Sequence, residues 1–260
     1  MNTDLRTDER IKKEKGQKLK EEVLELLEWM DHLLLQQGPR IESEYWSLFG
    51  PLEKALHEAY LGYHRLYRKR ELLMTALQRG EEPALDEIEE QLDIELRHYM
   101  DELEELERIY QKALLRARSA SHLSDEESER LKRLYRDFVK AYHPDLKGEL
   151  TDAEKNLWLQ AQSAYEMGDL SSMEMLHVLL DDISDVKEDL VYLEERRDYI
   201  KEKIKVILLQ PPLSWQIFLQ GEEKEKRVAY LEGLVEAYSS AIKQIEEDIS
   251  ILSRKRGILH

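Results

Sequence analysis

The chain has 260 residues, of which 37% are charged, with ten glycines and six prolines, a balance that predicts an almost entirely helical protein. Its formal charge of −17 excludes a general polyanion binder, because nucleic acid would be repelled by most of such a surface. The absence of cysteine excludes disulfides and thiolate metal sites and fits a reducing compartment.

The first residues, MNTDLRTDERIKKEKG, contain no apolar run of the kind that directs secretion. Residues 11–37 follow with Leu19, Val23, Leu26, Met30 and Leu33 on one seam of an amphipathic helix, and Gly38-Pro39 is expected to stop it. Glu21, Glu22, Glu25 and Glu28 would repel anionic lipid, so this helix is expected to lie on protein rather than on a membrane. Residues 41–78 read as a second helix with a bend at Gly50-Pro51. Its heptad seam alternates Phe49, Leu56, Tyr63, Arg70 and Leu77 with Tyr45, Leu52, Ala59, Leu66 and Leu73. After a turn at 80–83, residues 84–118 repeat the pattern. Leu96, Leu103, Tyr110 and Ala117 alternate with Leu85, Leu92, Tyr99, Leu106 and Ala113. The short connection predicts an antiparallel hairpin roughly 50 Å long.

Residues 131–142 carry apolar side chains at Leu131, Leu134, Tyr135, Phe138, Val139 and Tyr142, an i, i+3, i+4, i+7 stripe, and bear Lys132, Arg133, Arg136 and Lys140 opposite. Pro144 lacks an N–H and disfavours helical geometry at His143, so this helix should end at 142 or 143 and a loop should follow. Thr151 with Glu154 is a capping-box start for another helix, with Leu157, Trp158, Ala161, Ala164 and Tyr165 on one side and Gly168 placed to end it. The aromatic residues read as a small core between the two helices.

Two amphipathic helices, the first basic and closing on Tyr-His-Pro-Asp, the second ending in Gln162, Ala164, Tyr165 and Glu166, resemble helices II and III of a J-domain. The resemblance spans about residues 124–169. Family members are co-chaperones that stimulate ATP hydrolysis by DnaK-type chaperones, and their His-Pro-Asp loop and basic helix face contact that partner. Carried to this chain, the resemblance implies a chaperone-binding role for His143, Pro144, Asp145, Lys132, Arg133, Arg136 and Lys140, with His143 and Asp145 exposed. Asp137 and Ala141 stand where the family often has basic residues, Leu146 stands where one commonly follows the tripeptide, and the usual first helix has no counterpart next to residue 124.

From residue 176 the heptads resume. Leu176, Ile183, Leu190, Arg197 and Ile204 alternate with Leu179, Val186, Leu193, Ile200 and Ile207; after a loop, Val228, Val235, Ile242 and Ile249 alternate with Leu231, Tyr238, Ile245 and Leu252. These predict a second hairpin. Its loop places Trp215, Ile217, Phe218 and Leu219 at the tip, a candidate patch for a partner or client. The most apolar run of the chain, residues 204–219, is broken by Lys205, Gln210 and Pro211-Pro212 and is expected not to span a membrane.

The expected organisation is all-α: an N-terminal amphipathic helix (1–38), a coiled-coil hairpin (39–120), a J-domain-like helix hairpin (121–175) and a second coiled-coil hairpin (176–260). The narrow seams favour separate arms over one bundle and leave a homo-oligomer open. Glu95-x-x-His98 has the spacing of a di-iron ligand pair, yet no second copy exists, so no metal is expected. No phosphate loop, nucleophile elbow or thiol motif is present, so neither an enzyme nor a cofactor is expected. The reading is a cytoplasmic, J-domain-like co-chaperone or adaptor that recruits a DnaK-type chaperone while its helical arms position an unknown protein client, without nucleic-acid or membrane partners. The alternative is a coiled-coil scaffold with a degenerate J-fold, to which burial of the His-Pro-Asp loop by the arms would point.

Overall fold

A computed structural model describes residues 2–119, 123–180 and 190–254, with side chains for 14–116, 123–180 and 190–253. The seam positions Ala117, Ile183 and Val186 lie outside the described side chains. Among the described residues every regular element is helical, and no helix is long and apolar enough to cross a membrane. The chain divides into two compact units, residues 1–42 with 116–215, and residues 43–115 with 216–260.

In the first unit α1 (Asn2–His32) buries Leu19, Val23 and Met30 of the predicted seam, together with Leu24, Leu27 and Asp31; Leu26 is half-buried, and the seam residue Leu33 is buried just beyond the helix. Such a wide stripe marks a helix covered on more than one side. Gly38-Pro39 does not stop the chain. A π-helical turn, Leu33–Gln37, lets the Gly38 N–H reach the Leu33 carbonyl, and α2 (Gly38–Arg79) starts at once. Pro39 then sits in the first turn of α2, where its missing N–H has no helical partner to lose.

In the second unit, α2 pairs with α3 (Leu85–Glu95) and α4 (Arg97–Ser119), which are separated by a break at Leu96. Lys54 meets Glu107, Arg65 meets Asp93 and Leu73 packs with Ile88 and Leu92, so the pair is antiparallel, as the short turn predicts. The first hairpin seam is largely inward: Tyr45, Phe49, Leu73, Leu92, Leu96, Leu106 and Ala113 are buried, whereas Leu85 is exposed.

The remaining helices return to the first unit. They are α5 (Asp125–Tyr142), the single turn α6 (Pro144–Lys147), α7 (Asp152–Met167), α8 (Leu170–His177) and α9 (Leu190–Leu208). A 3-10 segment, Leu213–Leu219, then leads to α10 (Gly221–Arg254) of the second unit.

The expected second hairpin is therefore not formed as the heptads suggest. The helical run through 176–207 is interrupted, since α8 ends at His177, and α9 and α10 belong to different units. The predicted apolar faces still turn inward on α9, through buried Leu193, Ile200 and Ile204, and on α10, through buried Leu231 and Ile245, with their other seam residues half-buried, whereas Leu179 is exposed. Their partners differ. α9 runs parallel to α1, with Lys15 on Glu194, Glu22 on Lys201, and Leu26 beside Ile204. α10 runs parallel to α2: Arg227 meets Glu53, Tyr238 meets Tyr60 and Tyr63, and the seam residue Arg70 meets Asp248. A heptad says which face is buried, not which helix covers it.

Candidate functional site

Each helix flanking the His-Pro-Asp turn starts with reciprocal capping. The Ser124 side chain accepts from the Glu127 N–H while Glu127 accepts from the Ser124 N–H at 2.8 Å; Thr151 and Glu154 repeat the arrangement. The Lys147 ammonium, 2.6 Å from Glu154, and the Thr151 N–H hold that carboxyl down to about 2. Gly168 closes α7 in the left-handed conformation, φ 67°, and Asp169 caps α8 by accepting from the Ser172 N–H at 2.9 Å. α8 packs on both α5 and α7, placing fully buried Met173 in their core and extending the compact hairpin to His177, past the expected boundary at 175.

The interior is aromatic. Tyr135 stacks on Tyr165 at 4.1 Å and on Trp158 at 5.8 Å, and its hydroxyl donates to Asp31 Oδ2 of α1 at 2.7 Å. Burial pushes the Asp31 carboxyl up to about 6 against the opposing pull of the Tyr135 hydrogen bond. His32 Nδ1 lies 3.4 Å from the Tyr165 hydroxyl. The last turn of α1 thus sits on the two-helix core.

α5 ends at Tyr142, where Pro144 is expected to stop it, but the tripeptide is not an open loop. Pro144 is the first residue of α6 and His143 is its N-cap. The His143 carbonyl accepts from Leu146 and Lys147 at 2.9 Å, and His143 Nδ1 accepts from the Asp145 N–H at 3.1 Å. An accepting Nδ1 is unprotonated, so the neutral ring carries its proton on Nε2. The ring meets Trp158 edge-on at 5.2 Å.

The expectation that His143 stands exposed is not met: it is 5% exposed, and burial lowers its pKa to about 4, assisted by the cationic Lys203 and Arg196 of α9 and opposed by Asp145. Asp145 is half-buried. Arg196 Nη1 lies 3.3 Å from its Oδ1, and the Tyr192 hydroxyl donates to its carbonyl at 3.1 Å. Pro144 alone of the three is exposed.

The basic residues separate in the same way. Lys132 and Arg133 are exposed; Arg136 is half-buried against Glu21 and Glu28 of α1, with its Nε 3.1 Å from Glu28; Lys140 is half-buried, 3.9 Å from Asp137. The three departures from the J-domain pattern fit their surroundings. Asp137 receives His177 Nε2 at 2.9 Å, while Ala141 and Leu146 are buried, where a lysine would lack water or a counter-ion. Sequence reasoning missed Tyr192, Arg196, Asp31 and His177, which lie far along the chain from the motif and carry no signal of their own.

The other candidate patch does not form as one exposed tip. Leu219 is buried, Trp215 and Phe218 are half-buried with the Arg227 guanidinium 5.5 Å from the Phe218 ring, and Ile217 is exposed. Glu95 is engaged by Arg68 at 2.7 Å and His98 by Glu102 at 3.0 Å; among the described residues no group of three or more ligand-type side chains gathers. Comparisons with family models, curated proteins and solved structures give no match.

Proposed function

We propose that this chain is a J-domain-like co-chaperone or adaptor that recruits and stimulates a DnaK-type chaperone. The observation that carries the reading is the His-Pro-Asp turn itself, rigidly built between two reciprocally capped helices over a shared aromatic core. The docking residues are His143, Pro144, Asp145, Lys132, Arg133, Arg136 and Lys140, and the remaining helices position a client. α1 braces the hairpin through Asp31 and His32, which reach the Tyr135 and Tyr165 hydroxyls. A soluble, cytoplasmic protein fits this role.

A second reading, a helical scaffold with a J-like hairpin and no stimulating activity, is favoured by the burial of His143 and the engagement of Asp145 and Arg136 by the chain's own helices. Steady-state ATP hydrolysis by a DnaK-type chaperone, with the wild type, His143→Gln and the exposed-site variant Pro144→Ala, separates the two. Stimulation by the wild type that falls in both variants, with helicity retained, supports recruitment. Absence of stimulation by the wild type supports the scaffold.

A further inference from the structure

The proposed docking surface is occupied from within the chain. α9 approaches Asp145 with Tyr192 and Arg196, while α1 approaches Arg136 with Glu21 and Glu28. The two covers differ in kind. α1 contributes buried apolar residues from Leu19 to Met30, and Asp31 ties it to Tyr135. α9 spends its apolar side, Leu193, Ile200 and Ile204, on packing along α1, and its described bonds to the turn come from polar side chains.

These bonds are weak by geometry. Arg196 meets Asp145 through one nitrogen at 3.3 Å rather than as a two-point fork, and both side chains retain access to water, 29% and 21% exposed. Tyr192 adds one hydrogen bond to a carbonyl. Arg196 is itself held at the turn, with Nη2 donating to the Tyr192 hydroxyl at 3.3 Å. Tyr192 and Arg196 stand one helical turn apart on α9, so one small shift of α9 removes both.

We infer that Tyr192 and Arg196 of α9 form a reversible latch that holds the His-Pro-Asp turn closed and competes with the chaperone for it. The inference rests on the recruitment reading above. A partner that needs Asp145 free must first displace the latch, and its apparent affinity is reduced by the fraction of molecules in which the latch is open. Losing one hydrogen bond and one partly exposed ion pair raises that fraction roughly tenfold.

The test uses the 260-residue chain and the double variant Tyr192→Phe/Arg196→Gln, which keeps the bulk of both side chains and leaves the seam of α9 untouched. Amide hydrogen exchange at Asp145, Leu146 and Lys147, measured without chaperone, should quicken by about tenfold in the variant. The concentration giving half-maximal stimulation of a DnaK-type ATPase should fall by a similar factor, and adding His143→Gln should abolish the gain. Unchanged exchange overturns the latch whatever the ATPase does. Faster exchange with the same half-maximal concentration overturns the competition while recruitment stands. Faster exchange with no stimulation by either protein overturns recruitment and, with it, the latch as a regulator.

Discussion

Replacing Tyr135 by phenylalanine removes the hydroxyl that donates to the buried Asp31 carboxylate and leaves the ring stack with Tyr165 in place. Asp31 is 4% exposed, and its carboxyl is raised from 3.8 to about 6, mainly by burial. A hydrogen bond to an ionised group contributes roughly 1.5–3 kcal/mol, against about 1 kcal/mol for a neutral pair. The Tyr135 bond favours the ionised form, so removing it lifts the folded-state pKa of Asp31 further above its unfolded value. A raised folded-state pKa gives stability that is complete below pH ~4 and lost as pH rises through the folded value. Tyr135→Phe should therefore cost about 2 kcal/mol at pH 8 and about half that at pH 5. Urea unfolding followed by far-ultraviolet circular dichroism at both pH values measures the difference, with the Asp31→Asn background as the pH-independent control. Equal losses at pH 5 and pH 8, or a larger loss at pH 5, would refute an ionised Asp31 held by Tyr135.

The opposite sign is expected of His143. Its folded pKa of about 4 lies below the ordinary 6.5, so in an Asp31→Asn background stability is complete above pH ~6.5 and falls by roughly 3 kcal/mol as pH drops towards 4, a slope that His143→Gln flattens in the same urea titration. Gly50→Ala should gain about 1 kcal/mol from helix propensity and lose more, since the added Cβ would lie 2.5 Å from Tyr110 Cδ2; a net loss of ~1–2 kcal/mol, which turns into a gain of about 1 kcal/mol when the same change is made in a Tyr110→Ala background, is the expected thermal-melt result. Arg227→Met strands Glu53, 7% exposed and bonded to that guanidinium at 2.6 Å, and should cost about 3 kcal/mol, most of it recovered in Arg227→Met/Glu53→Met when both chains are unfolded in urea.

Helix identity and buried faces were readable because both are local. The heptads located Phe49, Leu73, Leu92, Leu193 and Leu231 on inward sides, and Pro144, Thr151 and Gly168 marked their helix ends. Partner choice was not readable, since the seams of α9 and α10 fit α1 and α2 as well as each other. Gly38-Pro39 misled because a π-turn can shift the hydrogen-bond register ahead of a proline. At the candidate site the motif was plain, but its cover was not: Tyr192 and Arg196 reach the turn from 47 and 51 residues away, and nothing in their spacing announces it.

The interleaved order of the two units has a consequence for synthesis. Residues 43–115 leave the ribosome while 216–260, which complete their unit, still await translation of the intervening segment. At ~5–20 residues per second, about 100 residues impose a delay of roughly 5–20 s. Throughout it the flank of α2 destined for α10, with Tyr60, Tyr63 and Leu73, lacks Tyr238 and Ile249. The first unit waits similarly for α9. A nascent chain of this protein therefore carries two unfinished apolar faces at once, until α9 and then α10 have emerged.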